Sequence, residues 1–234
     1  MTAPPTIDPA LDAPTRQIDS TAWDDIYVVG DVHGCRDTLD RLLDELAPTD
    51  DDLVVFVGDL VRKGPDSKGV LDLVRDRSNL LSVRGNNEQK LVDGRQSIDA
   101  LTEADAAYLE SLPVALSWDD SLVVHGGIDH RKPVADHSLS DLLTNRSLVP
   151  DASYERPYWF ETRREPPRVF FGHTVLATPF VTDYAVGLDT GCVYGGQLTA
   201  YDYRADELLA VEPPESYVAR SADSIVEPRS PEGQ

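Results

Sequence analysis

Lysine is nearly absent: Lys63, Lys68, Lys90 and Lys132 are the only ones among 234 residues. Arginine therefore carries most of the 21 positive charges, against 42 acidic residues, for a formal net charge of −21. A surface this negative repels nucleic-acid backbones and anionic bilayers, so neither is expected as a partner. The acids are spread along the chain rather than gathered into a tail, so the charge describes the folded surface. This low-lysine, acid-rich balance resembles that of proteins from salt-loving archaea, where high salt screens self-repulsion. An acidic mesophilic protein is the other reading. Cysteine is also scarce: Cys35 and Cys192 are too few for a disulfide framework and read as reduced, buried thiols. No run of about 18 apolar residues exists, which excludes a single-pass membrane helix. The N-terminus lacks the basic-then-apolar order of a secretory signal, so a cytoplasmic location is expected.

What is present suits one large α/β domain, with 41% hydrophobic residues. Residues 1–22 carry Pro4, Pro5, Pro9 and Pro14 without an apolar period, and residues 220–234 are similarly poor in core material. Both ends read as disordered, leaving a domain over 23–219. Ile26 to Val29, Leu53 to Val57 and Leu80 to Val83 read as strands. Leu39, Leu42, Leu43 and Leu46 fall at helical spacing, Val70 to Val74 suits a second helix, and Thr102 with Asp105 forms a capping box for a third. Further strands are expected at Val114 to Leu116, Leu122 to Val124, Val169 to Phe171, Val186 to Leu188 and Val193 to Tyr201, with a short helix near Ser138 to Leu143. No repeat or internal linker is visible.

The chemistry lies at the strand ends. They read Gly30-Asp31-Val32-His33-Gly34, Gly58-Asp59-Leu60-Val61, Gly85-Asn86-Asn87-Glu88, His125-Gly126-Gly127 and Gly172-His173-Thr174. Carboxyl ends of neighbouring strands converge on one crevice in an open α/β sheet, which would bring these side chains together. Each piece alone has an ordinary explanation as turn chemistry or a structural histidine. Together they offer three Asp/Asn oxygens and three imidazoles, a mixed set suited to Mn²⁺, Fe or Zn²⁺. Six such ligands suit a pair of metals rather than one.

This run of motifs resembles the phosphoprotein-phosphatase branch of the calcineurin-like metallophosphoesterases, and most of all bacterial and archaeal members related to symmetrical diadenosine tetraphosphate hydrolases. The likeness covers roughly residues 26–203. It includes Gly-Asp-Val-His-Gly-Cys, Arg-Gly-Asn, His-Gly-Gly, Phe-Gly-His-Thr and Leu-Asp-Thr-Gly-Cys-Val-Tyr-Gly-Gly. The resemblance implies a four-layer α-β-β-α sandwich with a dimetal site at the strand C-terminal ends. It implies that Asp31 and His33 hold one metal, that Asp59 bridges, and that Asn86, His125 and His173 hold the second. It also implies that a metal-bridging hydroxide attacks a phosphoric monoester or anhydride. Mn²⁺ is the expected metal, with Fe or Zn²⁺ as alternatives.

The sequence departs from the family where relatives carry a general-acid histidine and the aspartate that orients it. Those positions are Asn87 and Arg62, which become the candidate catalytic residues. Lys63 stands where many relatives have a phosphate-binding arginine, and Arg84 and Arg146 are candidates for further phosphate contact. General acid catalysis contributes about 10²–10⁴-fold, and most where the leaving group is poor. Its loss shifts the expected substrate towards phosphoanhydrides and aryl phosphates, with a dinucleoside polyphosphate or other small phosphorylated molecule first. A serine/threonine phosphoprotein phosphatase is the alternative, and a catalytically silent metal-binding scaffold the third reading. The remaining conspicuous groups read as structural. Asp189 ties a turn, His130 and His137 sit on the surface, and Trp118 and Tyr158 to Phe160 fill the core rather than a nucleobase pocket.

Overall fold

The computed structural model describes residues 14–150 and 153–229. In chain order its strands and helices are β1 (Thr15–Gln17), β2 (Ile26–Val29), α1 (Arg36–Leu46), β3 (Leu53–Phe56), α2 (Ser67–Arg75), β4 (Leu80–Ser82), α3 (Asn86–Val92), α4 (Glu103–Ser111), β5 (Ala115–Trp118), β6 (Ser121–Val124), α5 (Leu139–Thr144), α6 (Trp159–Thr162), β7 (Arg168–Phe171), β8 (Phe180–Val181), β9 (Ala185–Gly187), β10 (Leu198–Asp202) and β11 (Glu207–Val211). They form a five-stranded sheet of order β11-β10-β2-β3-β4 and a six-stranded sheet of order β1-β5-β6-β7-β9-β8.

Alternation along the strands builds the layers. In β3 and the residue after it, Leu53, Val55 and Val57 join one cluster with Phe170 of β7 and Val186 of β9, between the sheets. Val54 and Phe56 face the other way, into a cluster with Leu39 and Leu42 of α1 and Val70 and Leu71 of α2. β7 mirrors this: Val169 and Phe171 pack with Leu142 of α5 and with Trp159 and Phe160 of α6. A strand presents successive side chains to opposite faces, so three clusters make the three interfaces of an α-β-β-α sandwich. The four-layer expectation is met.

Local signals account for the helices. In α1, Leu39, Leu42 and Leu43 form the buried stripe with Leu46 partly buried at its end, and Ala47 ends the helix at φ 47° with its N–H on Leu43 O at 2.8 Å. Thr102 and Asp105 cap α4 reciprocally, as do Ser138 and Asp141 at α5. Two expectations are corrected. The strand expected from Val193 starts only at Leu198, because Cys192–Tyr194 is a 3-10 turn between Gly191 (φ 74°) and Gly195 (φ 87°). The ends are also more structured than their composition suggested. β1 pairs in parallel with β5, and the C-terminal segment is anchored through Val226, whose N–H reaches Val175 O at 2.8 Å and whose carbonyl accepts from Ala177 N–H at 2.9 Å. Limits at 23 and 219 therefore leave out parts of the fold, while residues 1–13 and 230–234 lie outside the described residues. Among the described residues no helix is long and apolar enough to cross a membrane.

Candidate metal centre and phosphate pocket

Both sheets contribute to one rim. Parallel strands β2, β3 and β4 of the smaller sheet deliver Asp31 with His33, then Asp59, then Asn86. Parallel strands β6 and β7 of the larger sheet deliver His125 and His173. Five of these residues, Asp31, His33, Asp59, His125 and His173, are buried.

Asp59 is the hub. Its Oδ2 lies 3.6 Å from His33 Nε2 and its Oδ1 lies 3.4 Å from His125 Nε2. His33 Nε2 also comes within 3.9 Å of Asp31. Second partners fix the rings. His125 Nδ1 lies 2.9 Å from Val57 O and His33 Nδ1 lies 3.3 Å from Val61 O, so each ring aims Nε2 at the carboxylates. Asn86 Oδ1 stands between His125 Nε2 and His173 Nδ1, 3.0 Å from each. The His173 N–H is 3.2 Å from Asp31 Oδ2, and the ring's Nε2 is buried without a partner.

The electrostatics show a centre short of positive charge. Burial pushes the Asp31 carboxyl well up, and the neighbouring Asp189 carboxylate adds to it. Burial would also raise Asp59, but His125 and His33 outweigh it and hold the group well below the usual carboxylate range. Burial would lower His125, yet Asp59 and Asp31 drive it up to about 9. Burial holds His33 down at about 3 and His173 well below its ordinary value.

These residues fit divalent cations. Asp31, Asp59 and His125 already place ligand atoms within 4.8 Å of one another. Lys63 Nζ is drawn to 2.7 Å from His33 Nε2, so an ammonium already sits against one imidazole of the cluster. With Asn86 turned the other way, its amide would donate to both imidazoles and accept from Lys90 at 3.0 Å. The oxygen-inward orientation forgoes those bonds and is the one a cation rewards.

Around this centre lies a cavity of about 340 Å³, lined by the candidate ligands Asp31, His33, Asp59, Asn86 and His173, by Arg62, Lys63, Asn87 and Arg146, and by Lys90, Tyr154, Asp189, Tyr194 and Arg220. Asn87 is tied on two sides: its amide donates to Asp59 Oδ2, and its Oδ1 accepts from Arg62. Positions 62 and 87 thus touch, the relation an orienting aspartate would have with a general-acid histidine. Arg146 donates to His173 O at 3.2 Å and stacks over Tyr154 at 4.9 Å.

Arg84 is a correction. It is buried outside the cavity, donating to Gln89 Oε1 at 3.0 Å and to the carbonyls of Glu110 and Leu112. Carbonyls at the end of α4 have no helical partner, and a guanidinium supplies donors to them. His137 is buried too, its Nε2 accepting from Asp129 N–H at 2.7 Å. Asp189 ties its turn by accepting from Gly191 N–H at 3.1 Å. Trp118 and Trp159 are fully buried in the core, and both cysteines are free and buried.

Glu88 was missed. Its Oε2 accepts from Asp59 N–H and Gly85 N–H at 2.8 Å each, and its Oε1 accepts from Val61 N–H at 3.1 Å, so it locks two motif loops together. Burial, with Asp59 adding, pushes it up to about 7. The signal was its place three residues after Gly85, the back-bonding position of a helix N-terminus. Arg220 was missed because its segment carries no apolar period.

Compared with known proteins, residues 25–209 match the family model described as calcineurin-like phosphoesterase. Serine/threonine-protein phosphatase 1 of Salmonella typhimurium is 31% identical over 218 residues, covering 79% of this chain and 94% of that protein. An asymmetrical bis(5'-nucleosyl)-tetraphosphatase, PrpE of Halalkalibacterium halodurans, is 30% identical over 227 residues, covering 79% of this chain and 92% of that one. It is named for the asymmetrical activity, where the motifs had suggested relatives of symmetrical hydrolases. A crystal structure of a proposed diadenosine tetraphosphatase superposes with a TM-score of 0.75 at 29% identity, over 86% of this chain and 98% of that one. Motif loops from both sheets, a cluster short of positive charge and these likenesses agree, and the chain belongs to the calcineurin-like phosphoesterase family, a hydrolase of phosphate esters or anhydrides.

Proposed function

We propose that the chain hydrolyses phosphoanhydrides of small molecules, with dinucleoside polyphosphates as the preferred class, and activated phosphate esters more slowly. Asp31, His33, Asp59, Asn86, His125 and His173 would hold two divalent cations, Mn²⁺ first, with Fe or Zn²⁺ as alternatives. Bound there, such cations lower the pKa of water and neutralise phosphoryl oxygens. Asp59 faces both His33 and His125, as a carboxylate shared by two cations must. Arg62, Lys63 and Arg146 on the cavity wall would orient the phosphoryl group, the guanidiniums as forked donors and Lys63 as a point charge.

The observation that carries the substrate class is the Asn87–Arg62 pair. A carboxamide has no proton to give at neutral pH, and Asn87 is held by Asp59. Arg62, bonded to it, can stabilise negative charge but is an equally poor acid. An alkoxide leaving phosphoserine needs a proton, whereas a nucleotide phosphate or an aryl oxide hardly does. The two tetraphosphatase likenesses support the same class. A phosphoprotein phosphatase is the second reading, supported by the Salmonella relative. We take the cytoplasm as the compartment and a high-salt interior as the setting, on the acid-rich composition.

A panel of diadenosine tetraphosphate, p-nitrophenyl phosphate and a phosphoserine peptide, assayed with Mn²⁺ in high salt, tests this. The tetraphosphate should give the highest kcat/KM and the peptide the lowest. A peptide hydrolysed fastest would reverse the order in favour of the phosphoprotein reading. Silence on all three with metal bound would leave the scaffold.

A further inference from the structure

Five cations, Arg62, Lys63, Lys90, Arg146 and Arg220, line the cavity, and none forms an ion pair with a carboxylate among the described residues. In a chain with 42 acids and 21 bases that is unexpected, since carboxylates outnumber cations twofold. Four of the five sit in or near the motifs. Arg220 does not: it comes from the C-terminal segment, beyond the last strand.

That segment is fixed on both sides of Arg220. Tyr217 and Val218 donate their N–H groups to Val193 O at 3.0 and 3.1 Å, and Val226 is bonded to Val175 and Ala177 at 2.8 and 2.9 Å. Between these anchors Arg220 donates to Tyr154 OH at 2.8 Å and to Ser224 O at 3.0 Å, and its guanidinium lies 4.6 Å over the Tyr194 ring. Arg146 stacks on the other partner, the Tyr154 ring, at 4.9 Å. Lys63 lies 5.2 Å from the centre of the Tyr194 ring. Two tyrosines thus hold three cations together, and the buried Asp189 carboxylate that lines the same cavity forms no ion pair with any of them, so positive charge is left in excess there. Gathering like charges costs free energy unless an anion joins them, and a guanidinium pair offers the forked donors that phosphate oxygens accept.

Building on the phosphoanhydride reading, we propose that Arg220, set by Tyr154 beside Arg146, forms a second anion subsite that binds a non-reacting phosphate of a polyphosphate chain. The reacting phosphate lies at the aspartate–histidine centre, and the strap carrying Arg220 makes the cavity favour chains of several phosphates over a lone monoester. Arg220 is a specificity-determining residue, and Tyr154 positions it.

Arg220→Ala should lower the ratio of kcat/KM for diadenosine tetraphosphate to that for p-nitrophenyl phosphate about tenfold, chiefly through KM, the scale of one charge-assisted contact. Arg220→Lys should recover part of the ratio, and Tyr154→Phe should lower it less than Arg220→Ala. Equal changes on both substrates, or an unchanged ratio in Arg220→Ala with a wild-type melting temperature, would overturn the subsite. Calorimetric titration of the full chain without added divalent metal gives a second readout. Tripolyphosphate should bind more tightly than orthophosphate, and Arg220→Ala should close that gap. Wild type inactive on both substrates yet showing this gap would sink the activity while the subsite stands. Activity on the tetraphosphate with no gap and no change of ratio would sink the subsite alone.

Discussion

Three of the candidate ligands, His33, Asp59 and His173, have φ of 50°, 53° and 63°, and Arg62 and Lys63 follow at 74° and 72°. Non-glycine residues in the left-handed region cost of order 1–3 kcal/mol each, and they persist where the surroundings over-determine them. Here Glu88 fixes the Asp59 loop, and the His173 N–H is held by Asp31. The strain is stored where the ligands converge. Asn87 stands where the sequence resemblance implies a general-acid histidine. Asn87→His should raise kcat/KM for a phosphoserine peptide relative to diadenosine tetraphosphate. The double change Asn87→His with Arg62→Asp should raise it further, towards the roughly 10²–10⁴-fold worth of a general acid, because an aspartate at 62 can orient the new imidazole. Parallel changes on both substrates would show that another group supplies the proton.

At the scale of elements, the motif glycines let loops from two sheets meet. A Cβ on Gly172, which follows β7, would lie 1.9 Å from Asp31 Oδ1, which follows β2. The contact couples the sheets through a backbone position that admits no side chain. Gly172→Ala must displace Asp31 or the β7 loop, so it should destabilise the fold by about 1–3 kcal/mol and reduce retained Mn²⁺ after dialysis. Melting temperature and metal content together check this, and wild-type values for both would show that the loops do not need the close approach. α3 makes a related point. It starts at Asn86, so this candidate ligand and Asn87 occupy the first helical turn, where unpaired N–H groups remain. The Asn87 N–H uses that freedom to reach Asp59 Oδ1 at 2.8 Å.

The whole molecule sets a strongly negative net charge against a cavity where five cations line the wall around the buried aspartates. A net charge of −21 opposes both folding and the approach of a polyanionic substrate. Salt shortens the screening length from about 10 Å at 0.1 M to about 3 Å at 1 M, which relieves surface repulsion more than it weakens contacts inside the cavity. The melting temperature should therefore rise by several degrees as KCl increases from about 0.1 to about 3 M. A flat profile across that range would discard the salt-adapted reading and leave an ordinary acidic protein.

The sequence by itself determined eight of the eleven strands, most helices and the six candidate ligands, while β1, β8 and β11 fell outside the apolar runs it marked. Period-two apolar runs specify a face, period 3.6 specifies a stripe, and Gly beside Asp, Asn or His after each strand marks a turn that can carry a ligand. Asn87 and Arg62 were legible too, as the positions where the resemblance implies a general acid and its orienting aspartate, because the surrounding motif fixes their register. Tertiary structure decided what depends on direction and on remote backbone. Arg84 and Arg146 look alike as candidates, yet Arg84 turns to the end of α4 and Arg146 to the cavity, since a long side chain follows whichever acceptors the fold sets nearby. The segment around Arg220 has no apolar period to announce it. It is held by main-chain bonds to Val175, Ala177 and Val193, and any residue type can make such bonds, so composition carries no trace of them until the partner strands are in place.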